Sequence, residues 1–146
     1  VVLQLDGQIV SEDRPGNVQG NHGVRGADPD RSAHTIRMRI KQALNIDVPV
    51  VISDTFGRPW RRGQTDIAIG ISGLEAITDH RGRPDAEGRT MDATEIAIVD
   101  EIAAAADLAM GKAARVPAAV VRGVEWEPGS ARATDLVRPP NEDLFR

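Results

Sequence analysis

The 146-residue sequence has no cysteine and no tyrosine, and its only aromatics are two Phe and two Trp. Without thiols there is no disulfide scaffold, no cysteine-ligated zinc finger and no thiol nucleophile. With so few rings the core has to be aliphatic, drawn from Val (14), Ile (12) and Ala (19). Leu, Ile, Val and Phe together make 35 of 146 residues, just above the range in which chains stay disordered. No stretch approaches the ~18 consecutive apolar residues of a membrane span. No signal-peptide or lipidation pattern is visible in these residues. Neither sign of charge dominates: 18 basic and 22 acidic side chains leave a net charge of −4. A nucleic-acid surface needs a net basic face, and none is present. Lysine is nearly missing, two against sixteen arginines. Genomic base composition produces such a skew, and it also favours bidentate recognition of anions.

A chain of this length buries roughly 68–70% of its unfolded surface, enough for one core, so residues 1–146 read as one domain. The sequence opens on Val1-Val2-Leu3-Gln4-Leu5, already inside an apolar pattern and without an initiator Met. It is therefore expected to be part of a longer polypeptide. Asp6-Gly7 between Val1–Leu5 and Gln8–Val10 predicts a β-hairpin, and Asn17-Val18-Gln19 is a possible short strand in an otherwise loop-like stretch. Asp28-Pro29-Asp30 opens a helix, with Ile36, Ile40, Ala43 and Leu44 on one apolar face and Asn45 as its stop. Val48–Ser53 reads as a buried strand of the kind found in parallel sheets, running into Asp54. A polar loop follows, and then Ile67, Ile69 and Ile71 alternate with small residues in a strand over 65–73. Asp92 and Glu95 have the form of a capping box for a helix from Ile96 to Met110, closed by Gly111. Val116–Val121 is a third strand. The fold class expected is α+β, a mixed sheet with packed helices.

The segment Asp54 to Asp66 is the strongest candidate for chemistry. An acid at the end of a buried strand stands where open sheets put their ligand sites. The Asp54 carboxylate and the Thr55 hydroxyl are adjacent hard oxygen donors of the kind Mg²⁺ or Mn²⁺ takes alongside a substrate phosphate. Arg58, Arg61 and Arg62, with Gln64, supply donors for phosphate or carboxylate. The competing reading makes Asp54 a turn cap and the arginines solvent-facing. Trp60 stacks on a flat ligand ring or packs over Pro59 and the arginine stems. Asp100 and Glu101 point about 100° apart on their helix and read as a solvated face. Gly111-Lys112 is either a helix end or part of a phosphate contact, since the full phosphate-loop consensus is absent. His22, His34 and His80 lack metal spacing. Spacing alone gives a divalent metal–phosphate site without naming a reaction.

The run Val50-Val51-Ile52-Ser53-Asp54-Thr55-Phe56-Gly57-Arg58-Pro59-Trp60-Arg61-Arg62-Gly63-Gln64-Thr65-Asp66-Ile67-Ala68-Ile69-Gly70 resembles the hallmark of the coenzyme F420-0:L-glutamate ligases. Asp79-His80-Arg81-Gly82-Arg83, Thr94-Glu95-Ile96-Ala97, Met110-Gly111-Lys112 and Val120-Val121-Arg122-Gly123 extend the likeness over nearly the whole chain. The resemblance implies a GTP-dependent amide ligase, a cytoplasmic homodimer. Such an enzyme phosphorylates the terminal carboxylate of F420-0 and lets the amine of L-glutamate attack the acyl phosphate, then adds γ-linked glutamates. It implies a two-metal site of Mg²⁺ or Mn²⁺, with Asp54 on one ion and Thr55 on the other, and Met110, Gly111 and Lys112 approaching GTP. The archaeal pattern has Gln where this chain has Lys112. An ammonium cannot ligate a metal, so Lys112 is expected on a phosphate. The family's Val-Asp-x-x-Asn element after Gly-Val is missing, because Val24 runs directly into Arg25-Gly26-Ala27-Asp28. The expectation is a partial chain of a larger ligase domain, without its N-terminal segment and an internal loop near 24–28. A genuine deletion there would point instead to a non-catalytic nucleotide- or deazaflavin-binding relative.

Overall fold

The computed structural model describes residues 1–4 and 28–143. The order is β1 (Val2–Gln4), α1 (Pro29–Leu44), β2 (Val50–Gly57), β3 (Gln64–Ser72), β4 (Thr78–Asp79), β5 (Glu95–Ile96), α2 (Ile98–Met110) and β6 (Ala118–Ala119), followed by a 3-10 turn at Ala133–Leu136. The main sheet runs β3-β2-β1-β6, and β4 pairs with β5 separately. β1 and β2 are parallel, while β2–β3 and β1–β6 are antiparallel. The expected α+β class with a mixed sheet is what the chain adopts. Among the described residues no helix is long and apolar enough to cross a membrane.

Period-two alternation sends successive residues of β2 to opposite faces. Val50 and Ile52 pack with Ala33 of α1, while Val51 packs with Val99, Ala103, Ala106 and Met110 of α2. The sheet is therefore a middle layer between two helices. The buried positions of α2 fall at i, i+4, i+7 and i+11, and two of them are Ala, so the helix lies close against the strands. On the other face Gly70 makes room for the start of α1. A Cβ there would stand 2.5 Å from the Pro29 carbonyl.

The ends of α1 follow the expected chemistry. The Asp28 side chain accepts the Arg31 N–H at 3.1 Å, Pro29 occupies the first turn, and Asn45 closes the helix in the left-handed region (φ 55°). Its inner face is narrower than the spacing predicts. Ile36 and Ile40 are half-buried, but Leu44 is exposed at the helix end.

Three expectations are corrected. Helix α2 starts at Ile98, not Ile96, and no side chain caps it. Glu95 and Ile96 pair with Asp79 and Thr78 instead, and Glu95 meets Arg81 at 3.1 Å, so the capping box does not form. The third strand shrinks to Ala118–Ala119, as Pro117 offers no N–H to a ladder. The first buried strand is longer than expected. β2 carries Asp54, Thr55, Phe56 and Gly57 within the ladder and leaves 58–63 as the connecting loop. The Asp6-Gly7 hairpin turn and the Asn17–Gln19 strand lie outside the described residues. Val2–Gln4 pairs with β2 and with β6.

Asp100 is not part of a solvated face. Among the described residues β3 is an edge strand, and carboxylates from both helices accept from its outer amides. Asp100 accepts the Ala68 N–H at 2.9 Å and Asp30 accepts the Ile71 N–H at 2.9 Å. Capping an edge in this way removes a template for pairing with another chain. Desolvation by burial lifts the Asp100 carboxyl above its ordinary pKa, and the Ala68 N–H offsets this only in part. Because the folded pKa is raised, the charged form costs stability at neutral pH, and that cost disappears as pH falls through the folded pKa towards the unfolded value. Asp100→Asn keeps the acceptor and removes the charge. Its melting temperature is expected to equal or exceed that of the wild type at neutral pH, the gap closing on acidification. Asp100→Ala is expected to lose about 1 kcal/mol at neutral pH through the unpaired amide. Calorimetry across that pH range reads both.

Candidate active site

The β2–β3 hairpin presents different chemistry on its two faces. Ser53 and Thr55 share the face that α2 covers, and Thr55 stands directly across from Asp66. Asp66 is 1% exposed, so its carboxylate has to find partners inside the protein. The Ser53 hydroxyl donates to Asp66 Oδ2 at 2.9 Å, and the Thr55 hydroxyl donates to Oδ1 at 3.1 Å. The third partner comes from the end of α2. Gly111 takes φ 61° and turns the chain, which brings Lys112 back over the hairpin. Its Nζ lies 2.9 Å from Asp66 Oδ1 and also donates to the Thr55 hydroxyl.

Asp107, one turn earlier on α2, completes the cluster. Its Oδ1 is buried without a hydrogen bond and sits 3.6 Å from Lys112 Nζ. Partial desolvation pulls the Lys112 pKa down, but the hydrogen bond and charge of Asp66, with the charge of Asp107, outweigh it. The ammonium is held above its ordinary value. Half of the Lys112 side chain remains exposed, so the cluster is a buried carboxylate lidded by a cation that reaches water.

Asp54 points the other way. Alternation turns its side chain to the opposite face from Thr55, where it is exposed and accepts the Thr55 N–H at 2.7 Å. The two adjacent oxygens expected on neighbouring metals therefore do not converge. Arg58, Arg61 and Arg62 sit in the exposed loop that joins the strands, with Gln64 at the first position of β3. Arg58 donates to the Arg62 carbonyl at 3.1 Å and curls this loop. At ~3.3 Å per residue the loop begins about 10 Å beyond Thr55. Trp60, 85% exposed, lies on the loop with φ 56°. Met110 is fully buried in the core with α2's inner stripe, away from the surface of the cluster. Of that trio, Gly111 and Lys112 are the exposed members.

Ser53 and Asp107 escaped the sequence reading, and Asp66 closed the candidate segment without being given a role. Asp66 carried a signal. It falls on the small-residue side of the Ile67-Ala68-Ile69 alternation, the side that faces a helix. His34 on α1 and His80 just after β4 stay apart from the cluster, and His22 lies outside the described residues. Among the described residues no group of three or more His, Asp or Glu can hold a metal ion. Asp54 alone suits a divalent ion that draws its other ligands from substrate phosphates. Thr55 does not, because its hydroxyl already receives an ammonium and donates to Asp66.

Fold and site together describe an α+β protein with three arginines at the tip of its β2–β3 hairpin, an exposed carboxylate on β2 and a lysine seated over the hairpin from the end of α2. Residues 1–123 match the family model of F420-0:gamma-glutamyl ligase. Over 94% of its length the chain is 39% identical to the coenzyme F420:L-glutamate ligase of Methanocaldococcus jannaschii and 40% identical to that of Methanothermobacter thermautotrophicus. The chain belongs to this ligase family. It spans 60% and 61% of the length of those two curated relatives. The matched stretches run to 150 and 155 residues, longer than the 146-residue chain, so these relatives carry residues within the match that this chain lacks.

Ser53→Ala tests the cluster's satisfaction. It removes the hydroxyl that donates to Asp66 Oδ2 and leaves a buried acceptor unmade, so stability is expected to fall by about 1–3 kcal/mol. The readout is a lower urea midpoint at unchanged m-value.

Proposed function

We propose that the protein acts as a GTP-dependent amide ligase that joins L-glutamate to coenzyme F420-0. The observation that supports this reading is the family match across 94% of the chain, which includes the whole hairpin. In the proposed reaction the terminal carboxylate of F420-0 takes the γ-phosphoryl group of GTP and releases GDP. The amine of L-glutamate then attacks the acyl carbon, loses a proton, and expels inorganic phosphate. Repetition on the γ-carboxylate adds further glutamates. Both substrates, the nucleotide and the intermediate are anions, and the hairpin's donors suit them.

Arg58, Arg61 and Arg62 at the hairpin tip neutralise carboxylate and phosphate oxygens, and Gln64 adds a neutral donor beside them. Asp54 is the residue that would hold Mg²⁺ or Mn²⁺, an ion that neutralises phosphate charge during transfer. Gly111 and Lys112 lie on the nucleotide side, where the exposed half of the ammonium meets phosphate. An acyl phosphate hydrolyses readily, so the site must also exclude water. Homodimeric assembly and a cytoplasmic location complete the proposal.

A second reading, a non-catalytic nucleotide- or deazaflavin-binding relative, draws support from one observation. The relatives carry residues within the match that this chain lacks, and the Val-Asp-x-x-Asn element is absent where Val24 meets Arg25. Turnover separates the two. Incubated with F420-0, L-glutamate, GTP and Mn²⁺ or Mg²⁺, the ligase releases GDP and yields a glutamylated product by mass spectrometry. Tight binding without product favours the second reading. Asp54→Ala, a change at an exposed position, is expected to cut turnover at least ~10²-fold with an unchanged melting temperature. Metal-dependent activity surviving in that variant would remove Asp54 from the proposed role.

A further inference from the structure

We infer that Lys112 is the protein's own cation at the hairpin, filling with an ammonium the position between Thr55, Asp66 and Asp107 that a second divalent ion would otherwise take. The geometry carries this. An ammonium has three N–H donors and no acceptor, and three oxygens surround Lys112 Nζ: Asp66 Oδ1 at 2.9 Å, Asp107 Oδ1 at 3.6 Å, and the Thr55 hydroxyl. All three are hard oxygen donors of the kind that bind Mg²⁺ or Mn²⁺. Asp66 is fully buried, and Asp107 Oδ1 is a buried atom with no hydrogen bond of its own. Two carboxylates around a hydroxyl need positive charge between them, and Lys112 supplies it. A divalent ion cannot share that space with the ammonium. Its ligand distance of about 2.0–2.1 Å for Mg²⁺ would bring two positive centres together and take over oxygens already donated to. Asp54, on the opposite face of the strand, is unaffected. The cluster thus takes no divalent ion at Thr55, whatever Asp54 holds.

The occupancy of the cluster stands on geometry alone; its bearing on phosphoryl transfer rests on the ligase reading. A fixed ammonium changes what the site can do. It neutralises its carboxylates at any ambient metal concentration and keeps an exposed half for an anion. It also cannot be chelated away.

The chain's two lysines make the test direct, since Lys41 and Lys112 are the only side-chain ammonium signals. Lys41 is tied to Asp47 at 2.9 Å on α1 and serves as an internal reference. In the ¹⁵N-lysine spectrum of the full wild-type chain, saturating Mg²⁺ is expected to leave the Lys112 ammonium signal in place. Loss or displacement of that signal, with Lys41 unchanged, would overturn the inference. Titration with Mn²⁺, following the free-ion signal by electron paramagnetic resonance, gives the second reading. Lys112→Gln exchanges the ammonium for a neutral oxygen donor and is expected to bind one more Mn²⁺ per chain than wild type. Adding Asp66→Asn should abolish the extra ion. Equal stoichiometry in wild type and Lys112→Gln would overturn the inference, and if the variant fails to fold, the wild-type spectrum decides. A protein that keeps its Lys112 signal under Mg²⁺ but forms no glutamylated product would sink the ligase reading and leave this inference standing.

Discussion

Asp66 puts a carboxylate where the sheet meets helix α2, with almost none of its surface left to water. A buried charge is tolerated only when it is paired and hydrogen-bonded, and its partners come from two separate parts of the chain. Ser53 and Thr55 come from β2, and Lys112 comes from the turn that ends α2. The requirement therefore fixes three things together: the register of the hairpin, the point at which α2 stops, and the direction in which the chain leaves it. Gly111 makes the last of these possible, because its positive φ turns the backbone at the position from which Lys112 can reach the hairpin.

The rest of the fold holds that arrangement rigid. The alanine-rich inner stripe of α2 brings its axis close to β3, and Asp100 ties its first turn to the strand's edge. On the far side Gly70 lets Pro29 approach, and Asp30 ties the start of α1 to Ile71. The loop of Arg58, Arg61 and Arg62 is thus carried on two long strands clamped from both faces. That suits a site which must hold several anions in fixed relation.

Signals that act within a few residues were legible in the sequence. The Asp28 cap, the Asn45 stop and the Gly111 terminus depend on local backbone chemistry and are present, whereas the Ile67-Ile69-Ile71 alternation breaks after Ile69, where a register shift sends Ile71 to the α2 side of the sheet. The capping box at Asp92 was just as well formed locally, yet it lost to the pairing of Glu95 with Asp79, a contact that no local pattern reports. Reading β2 as ending at Ser53 hid the alternation that separates Asp54 from Thr55. The Asp66–Lys112 pair spans 46 residues, so neither side chain announced the other. The family resemblance drew attention to Lys112 and Thr55, but only the folded chain shows the lysine seated on the threonine's hydroxyl.

The central claim is that the buried Asp66 carboxylate and the Lys112 ammonium act as one unit. A double-mutant cycle with Lys112→Met, Asp66→Asn and the combined variant, followed by urea unfolding, measures this. Lys112→Met strands a buried charge, whereas the double variant does not, so the account predicts a coupling of about 1–3 kcal/mol, with the double variant more stable than the sum of the single losses allows. Additive losses would contradict it, reducing Lys112 to a surface side chain near a carboxylate that its hydroxyl neighbours satisfy alone.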